Sequence, residues 1–210
     1  PQSRNRTVGQ KLGEGMAIDA IITEMNQVAE GVKSCRAVQS MAREAGVQWQ
    51  VVPATTAAGW PGLRAACRAG AGLFPAYGLH PMFLDRHRPQ HLDTLREWLQ
   101  RERPVAVGEC GLDHFVPGLD PRQQMDYFRQ QLALARDHDL PVIVHARRAV
   151  DQVTAAIRRI GGLRGVVHSF SGSRQQADQL IKQGFLLGIG GPVSYPRAAR
   201  LRALVAALPV

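Results

Sequence analysis

Three short apolar segments, each running into a single Glu or His, constrain this chain more than any other feature. They are Val105–Ala106–Val107 followed by Gly108 and Glu109, Pro141 to His145 (PVIVH), and Gly165 to His168 (GVVH). Their length and β-branched content read as strands, and their lack of alternation suits strands buried on both faces. A carboxylate placed directly after such a strand rarely serves packing, because an unpaired buried charge is strongly destabilising. Glu109 therefore needs partners, and His145 and His168 stand at the equivalent ends of two later strands. Gly111, Leu112 and Asp113 are predicted to turn the chain away after Glu109.

The segments between these strands read as helices. Residues 36–208 give helices over Ala37–Ala45, Trp60–Ala69, Pro89–Arg101, Pro121–His138, Val150–Ile160, Ser173–Gln183 and Arg197–Leu208. Strands are predicted over Val47–Pro53, Gly72–Gly78, Val105–Glu109, Leu140–His145, Gly165–His168 and Phe185–Gly190. Pro121 sits in a first helical turn, where proline is tolerated, and Gly46 and Gly184 close helices. Strands alternating with helices across short connections define an α/β fold with a parallel sheet. Chemistry after strand upon strand (His80, Glu109, His145, His168) favours a barrel mouth over the single switch point of an open sheet. There is no GxGxxG or P-loop, and Gly188–Gly191 (GIGG) reads as a close-packed strand end. Residues 1–35 stay unassigned, with Met16–Asn26 compatible with a strand or a short helix.

Composition sets outer limits. A length of 210 residues suits one domain. No apolar run approaches the ~20 residues that span a bilayer. The basic N-terminus has no apolar stretch behind it, so it is not a secretory signal, and the missing initiator Met suggests a processed or partial start. Cys35, Cys67 and Cys110 are scattered, which fits reduced thiols in the cytoplasm and argues against a cysteine metal site. The net charge of +9 permits a polyanionic partner, although the arginines are spread along helices rather than clustered.

Glu109, His145 and His168 together suit Zn²⁺, Mn²⁺ or a related divalent ion. A satisfied core histidine or a structural ion pair explains any one of them; three at equivalent strand ends favour a metal. Arg147, two residues after His145 and so on the same face, can hold a phosphate oxygen with its guanidinium, or close a salt bridge at the rim. Ser169 and Ser171 in HSFSG can donate to an anion or only shape a turn. His80, held before Pro81, faces the same mouth as a substrate contact. His87, His91, His114 and His138 read as surface residues, and Cys110 as packing on the opposite side of the strand from Glu109.

The motifs GLHP (Gly78–Pro81), VGECGLD (Val107–Asp113), PVIVHAR (Pro141–Arg147) and VVHSFSG (Val166–Gly172), in this order, resemble the TatD family of metal-dependent hydrolases and deoxyribonucleases. VPAT (Val52–Thr55) and GGPVSYPRA (Gly190–Ala198) are most similar to its YjjV-like branch. The resemblance covers 37–210 and implies a (β/α)8 TIM barrel of the amidohydrolase type, incomplete here, with strands equivalent to the second to seventh. It implies one or two divalent ions (Mg²⁺, Mn²⁺ or Zn²⁺) and hydrolysis of DNA phosphodiester bonds. By motif, Glu109 matches the carboxylate that binds, and can bridge, the metals, and His145 and His168 the two histidines of one metal position; Glu109 is the expected catalytic residue, and His80, Arg147 and Ser171, from their own placement, are the expected substrate contacts.

Two departures accompany the resemblance. No HxH pair occurs in the sequence, with Ile21 and Thr23 at the weakly matching positions, and the chain ends before the family's Asp-bearing strand. The expectation is accordingly half a metal site and reduced turnover. The expected partner is DNA or another phosphodiester substrate rather than a membrane, and a monomer is favoured. Two other functions fit the same residues: an inactive nucleic-acid- or protein-binding pseudoenzyme, and a hydrolase of small esters, amides or lactones.

Overall fold

Six parallel strands lie side by side in chain order, β1-β2-β3-β4-β5-β6, in a computed structural model that describes residues 39–40, 42–44 and 46–208. The strands are β1 (Gln50–Pro53), β2 (Leu73–Tyr77), β3 (Ala106–Asp113), β4 (Val142–Arg147), β5 (Gly165–Val167) and β6 (Phe185–Leu187). Between and after them run α1 (Trp60–Ala69), α2 (Gln90–Glu102), α3 (Pro121–Asp137), α4 (Val150–Ile160), α5 (Arg174–Lys182) and α6 (Ala199–Ala207). Short 3-10 turns occupy Ala57–Gly59, Pro81–Arg86 and Gly191–Ser194. Strands paired strictly in sequence order, without the reversal of a doubly wound sheet, form a barrel wall. The described residues thus supply six staves of an incomplete (β/α)8 barrel. The predicted 1–35 segment, including Ile21 and Thr23, lies outside them. No helix among them is long and apolar enough to cross a membrane.

Side-chain alternation sorts each strand into two faces. Val52, Tyr77, Val107, Val142, Val144 and Val167 point outward to the helices, where the main core includes Leu95, Leu99, Phe128, Leu132, Val153, Ile157 and Leu180. Trp60, Tyr77 and Trp98 meet there at ring separations of 5.6 to 6.2 Å. The inward set is smaller: Ala76, Ala106 and Ile143, with Val51 and Val166 packed on them. Continuing those inward phases up the wall brings His80 above Ala76, His145 above Ile143 and His168 above Val166.

Strand β3 is longer than predicted. It does not end at Glu109 but continues through Gly111, Leu112 and Asp113, and every residue in it is buried. Its pairing with β4 shifts from Val107↔Val142 to Cys110↔Val144, three residues on one strand against two on the other. That extra residue is a β-bulge. It matters because Val107 and Glu109 would otherwise share the outward face. The bulge turns Glu109 inward and sends Cys110 to the core, where burial pushes its thiol well up.

Other boundaries move by a few residues. β5 stops at Val167, so His168 lies just beyond it, β6 ends at Leu187, and α6 starts at Ala199 rather than Arg197. α5 starts after Ser173, whose hydroxyl and Gln176 form a reciprocal capping box. α3 begins at Pro121, with Asp120 accepting from the Arg122 N–H.

Strand β3 approaches β4 so closely that a Cβ on Gly111 would stand 2.0 Å from the His145 carbonyl oxygen, at a φ of +146°. Gly118, at φ +82°, has nothing within 4 Å of the same position. Gly111→Ala is therefore expected to destabilise the chain by about 3 kcal/mol or more, and Gly118→Ala by only about 1 kcal/mol. Urea unfolding of the two variants measures the contrast.

Candidate metal centre

Glu109 is fully buried, at 0% exposure, among groups brought by three neighbouring strands. His145 Nδ1, from β4, lies 3.2 Å from Glu109 Oε1. His80 Nε2, just past β2, lies 3.5 Å from the same oxygen. The other ring nitrogen of His145, Nε2, lies 2.8 Å from Asp113 Oδ2. His80, Glu109 and His145 each offer a ligand atom, and these atoms all lie within 4.8 Å of one another. Two of the sequence-predicted ligands, Glu109 and His145, are thus together, with His80 as the third close neighbour.

His168 stands apart from that tight group. Its backbone N–H donates to Val144 O, tying it to the end of β4, and its Nε2 lies 3.0 Å from Ser169 Oγ. Its charge still helps to lower the Glu109 carboxyl. Arg147, exposed at the tip of β4, has its guanidinium 3.7 Å over the ring of Phe115 rather than in a salt bridge. Ser171 is not brought to Glu109. It is exposed and lines a separate cleft of about 480 Å³ with Ser173, Arg174, Arg200 and Leu204. His87 is not a surface residue: at 3% exposure it packs on Tyr127 and donates through Nε2 to His80 O. Burial lowers its pKa, so the ring is neutral and braces the His80 loop.

Hydrogen bonding sets the role of each ring. The Met82 backbone N–H donates to His80 Nδ1 at 3.2 Å, because His80 caps the 3-10 turn over Pro81–Arg86. A lone pair committed at Nδ1 leaves the proton of the neutral ring on Nε2, facing Glu109. His80 is therefore a donor toward the mouth. His145 lies between two carboxylates. Burial pulls its pKa down, but the bonds to Glu109 and Asp113 outweigh burial and raise it. Burial would lift Glu109 as well, yet the bonds from His145 and His80 hold it far below the usual carboxylate range.

Asp113 is the functional residue that sequence reasoning missed. It is 1% exposed, and its Oδ1 accepts from the N–H groups of Phe115 and Val116 at 2.9 and 3.0 Å. Burial opposes its ionisation, but these bonds and His145 keep its carboxyl low. The available signal was its spacing: four residues after Glu109, it shares that face of a continuing strand. Two buried glutamines of α3 were also missed. Gln124 accepts from Asp113 N and donates to Asp113 O, while Gln131 does the same at Leu79, next to His80. Seven residues apart, they lie on one helix face and dock α3 onto both strand ends.

The donor set fits a divalent cation. Glu109 Oε2 is buried and has no hydrogen-bond partner, an orphaned anionic oxygen of the kind a cation satisfies. With Nε2 of His145 held by Asp113, a cation that displaced the Nδ1 proton would meet that nitrogen beside Glu109, the usual carboxylate–histidine arrangement behind a metal.

A singly wound α/β barrel wall with a carboxylate and histidines converging at its C-terminal mouth defines the metal-centre barrel proteins. The chain belongs to the TatD-related DNase family, whose sequence profile matches residues 25–210. It is 42% identical over 174 residues to the uncharacterized metal-dependent hydrolase YjjV of Escherichia coli K12, covering 80% of this chain and 66% of YjjV. It is 32% identical over 172 residues to the 3'-5' ssDNA/RNA exonuclease TatD of Erwinia tasmaniensis, again 80% of this chain and 66% of the relative. The chain thus spans just under two thirds of these curated relatives. The crystal structure of the Escherichia coli YjjV superposes with a TM-score of 0.80 at 38% identity, covering 84% of this chain and 70% of that one.

The shifted ionisations give the metal-free chain a defined pH response. Glu109 and Asp113 are depressed, so their contribution is complete above the ordinary carboxylate range and lost as pH falls through their lowered folded values. His145 is raised, so its contribution is complete below 6.5 and lost as pH rises through the higher folded value. Urea unfolding between about pH 7 and pH 8, above the ordinary histidine value that matters for the buried His87 and below the ordinary thiol value that matters for Cys110, is expected to show stability falling with pH, and His145→Gln to flatten that fall. A metal-free chain whose stability rose over the same interval would contradict the assignment.

Proposed function

We propose that this chain carries the catalytic centre of a metal-dependent hydrolase acting on phosphodiester bonds of nucleic acid, with DNA as its substrate. The observation that carries this reading is the unpartnered, fully buried Oε2 of Glu109 among histidines at the barrel mouth. Membership of the TatD-related family and the exonuclease name of one relative support the choice of bond. The three cysteines stand far apart in the sequence with no CxxC pair, which agrees with a reducing compartment, and we assign the chain to the cytoplasm.

The ligands are assigned by motif, and the residues around them by their contacts. We assign Glu109, His145 and His168 as holders of a divalent ion, Mg²⁺, Mn²⁺ or Zn²⁺, with one or two ions in the whole site. When bound there, such an ion supplies Lewis-acid chemistry: it polarises a phosphoryl oxygen and acidifies water. Asp113 holds His145 in the ligating tautomer. Glu109, ionised throughout the neutral range, would hold the positive charge that activates the attacking water, whose proton passes to solvent as the new P–O bond forms and the ester P–O bond breaks, the leaving oxygen taking a proton from solvent. His80, a donor at Nε2, hydrogen-bonds a non-bridging phosphate oxygen. Arg147 swings from Phe115 to give that phosphate a second, charged contact.

Two measurements test this. Divalent ion at about a hundred times its Kd is expected to stabilise the chain by about 2.7 kcal/mol, and Glu109→Gln to abolish that gain. Cleavage of single-stranded DNA with Mn²⁺ is expected to be lost on adding chelator, to fall at least about a hundredfold in Glu109→Gln, and to fall about tenfold in Asp113→Asn. Cleavage that survives chelator, or is unchanged in Glu109→Gln, would overturn the proposal.

A further inference from the structure

Phe115 is an anomaly at the rim of the barrel: a large aromatic ring, 44% exposed, directly beside the most polar part of the molecule. Two guanidiniums gather on it. Arg147 Cζ lies 3.7 Å and Arg148 Cζ 4.6 Å from the ring centroid, and both arginines are exposed. Consecutive residues of an extended strand send their side chains to opposite faces, so this convergence needs a special backbone. Arg148 supplies it with a φ of +53°, a left-handed conformation that non-glycine residues rarely hold. The Phe115 backbone is held as well. Its N–H donates to Asp113 Oδ1, while Asp113 Oδ2 contacts His145 Nε2, so one carboxylate separates the rim aromatic from the metal centre.

We infer that Phe115, with Arg147 and Arg148, forms a stacking subsite that takes one unpaired base of a single-stranded nucleic acid, the guanidiniums moving off the ring as the base stacks, Arg147 to the reacting phosphate and Arg148 to the next one. The inference rests on the phosphodiester reading above and extends it to the base beside the reacting phosphate. An aromatic face and planar guanidiniums are the groups on which splayed bases stack, in a manner tolerant of sequence. A base within a duplex is already stacked and cannot enter, so the subsite selects single strands. The charge fits the occupant: two arginines at the rim of a chain carrying +9 overall suit a polyanion and oppose a cationic or neutral partner. A surface cation–π contact alone would not call for an exposed phenylalanine tied by its backbone to the carboxylate that orients His145.

The test separates base from backbone. In chelator, so that no cleavage intervenes, fluorescence anisotropy compares a short oligothymidylate with an abasic oligodeoxyribose phosphate of the same length. The chain is expected to favour the thymidylate by about tenfold. Phe115→Ala should erase that preference and Phe115→Trp preserve it. Arg148→Ala should weaken both oligomers together and reduce the salt dependence of each. A preference that persists in Phe115→Ala, or a parent chain that binds the two equally or not at all, overturns the subsite. Absence of Mn²⁺-dependent cleavage by the parent chain instead defeats the hydrolase reading, whatever the binding ratio.

Discussion

The structure depends on keeping one carboxylate ionised where no water reaches it. Glu109 sits at 0% exposure, and a lone charge there would be intolerable without compensating hydrogen bonds. Its compensation comes from elsewhere in the chain: His145 at 3.2 Å and His80 at 3.5 Å, from adjoining strand ends. Those contacts require the parallel pairing of β2, β3 and β4, and the pairing requires the helices that cover its outer face. Oε2 alone is left without a hydrogen-bond partner in that arrangement.

Around this centre the fold is built to hold strand ends still. Side-chain amides from α3 engage Leu79 and Asp113 as a neighbouring strand would, which satisfies backbone groups where ladder pairing gives out. His87, kept neutral by burial, braces the carbonyl of His80 from behind. Asp113 joins the interior to the rim by contacting His145 with one oxygen and the Phe115 and Val116 amides with the other. A substitution at Asp113 is therefore felt both at the His145 imidazole and at the exposed Phe115, two places that sequence distance alone would not connect.

How much of this was legible varies with how local the cause is. The helices Trp60–Ala69 and Val150–Ile160 match their predicted spans, because periodicity and caps act within a few residues. Strand ends drifted more, since a strand stops where its neighbour stops pairing: β5 stops at Val167 although its predicted span ran on to His168. His87 was misread as exposed because nothing in its own sequence shows the Tyr127 ring that covers it. Ser171 was grouped with the mouth by motif proximity, yet the turn after His168 carries it into a different cleft.

By itself the sequence determined the parallel α/β wall and the inward phase of His145 and His168. Alternation along Ile143–His145 and Val166–His168 is a property of each strand alone. It also marked Glu109 as a carboxylate in need of partners. Only the tertiary structure decided which way Glu109 faces, because the bulge before it exists only through the register of β3 against β4. The same non-local pairing carried β3 on to Asp113 and placed that carboxylate on His145. Strand identity follows from local chemistry, whereas the meeting of charges at a strand end follows from register, which two strands determine together.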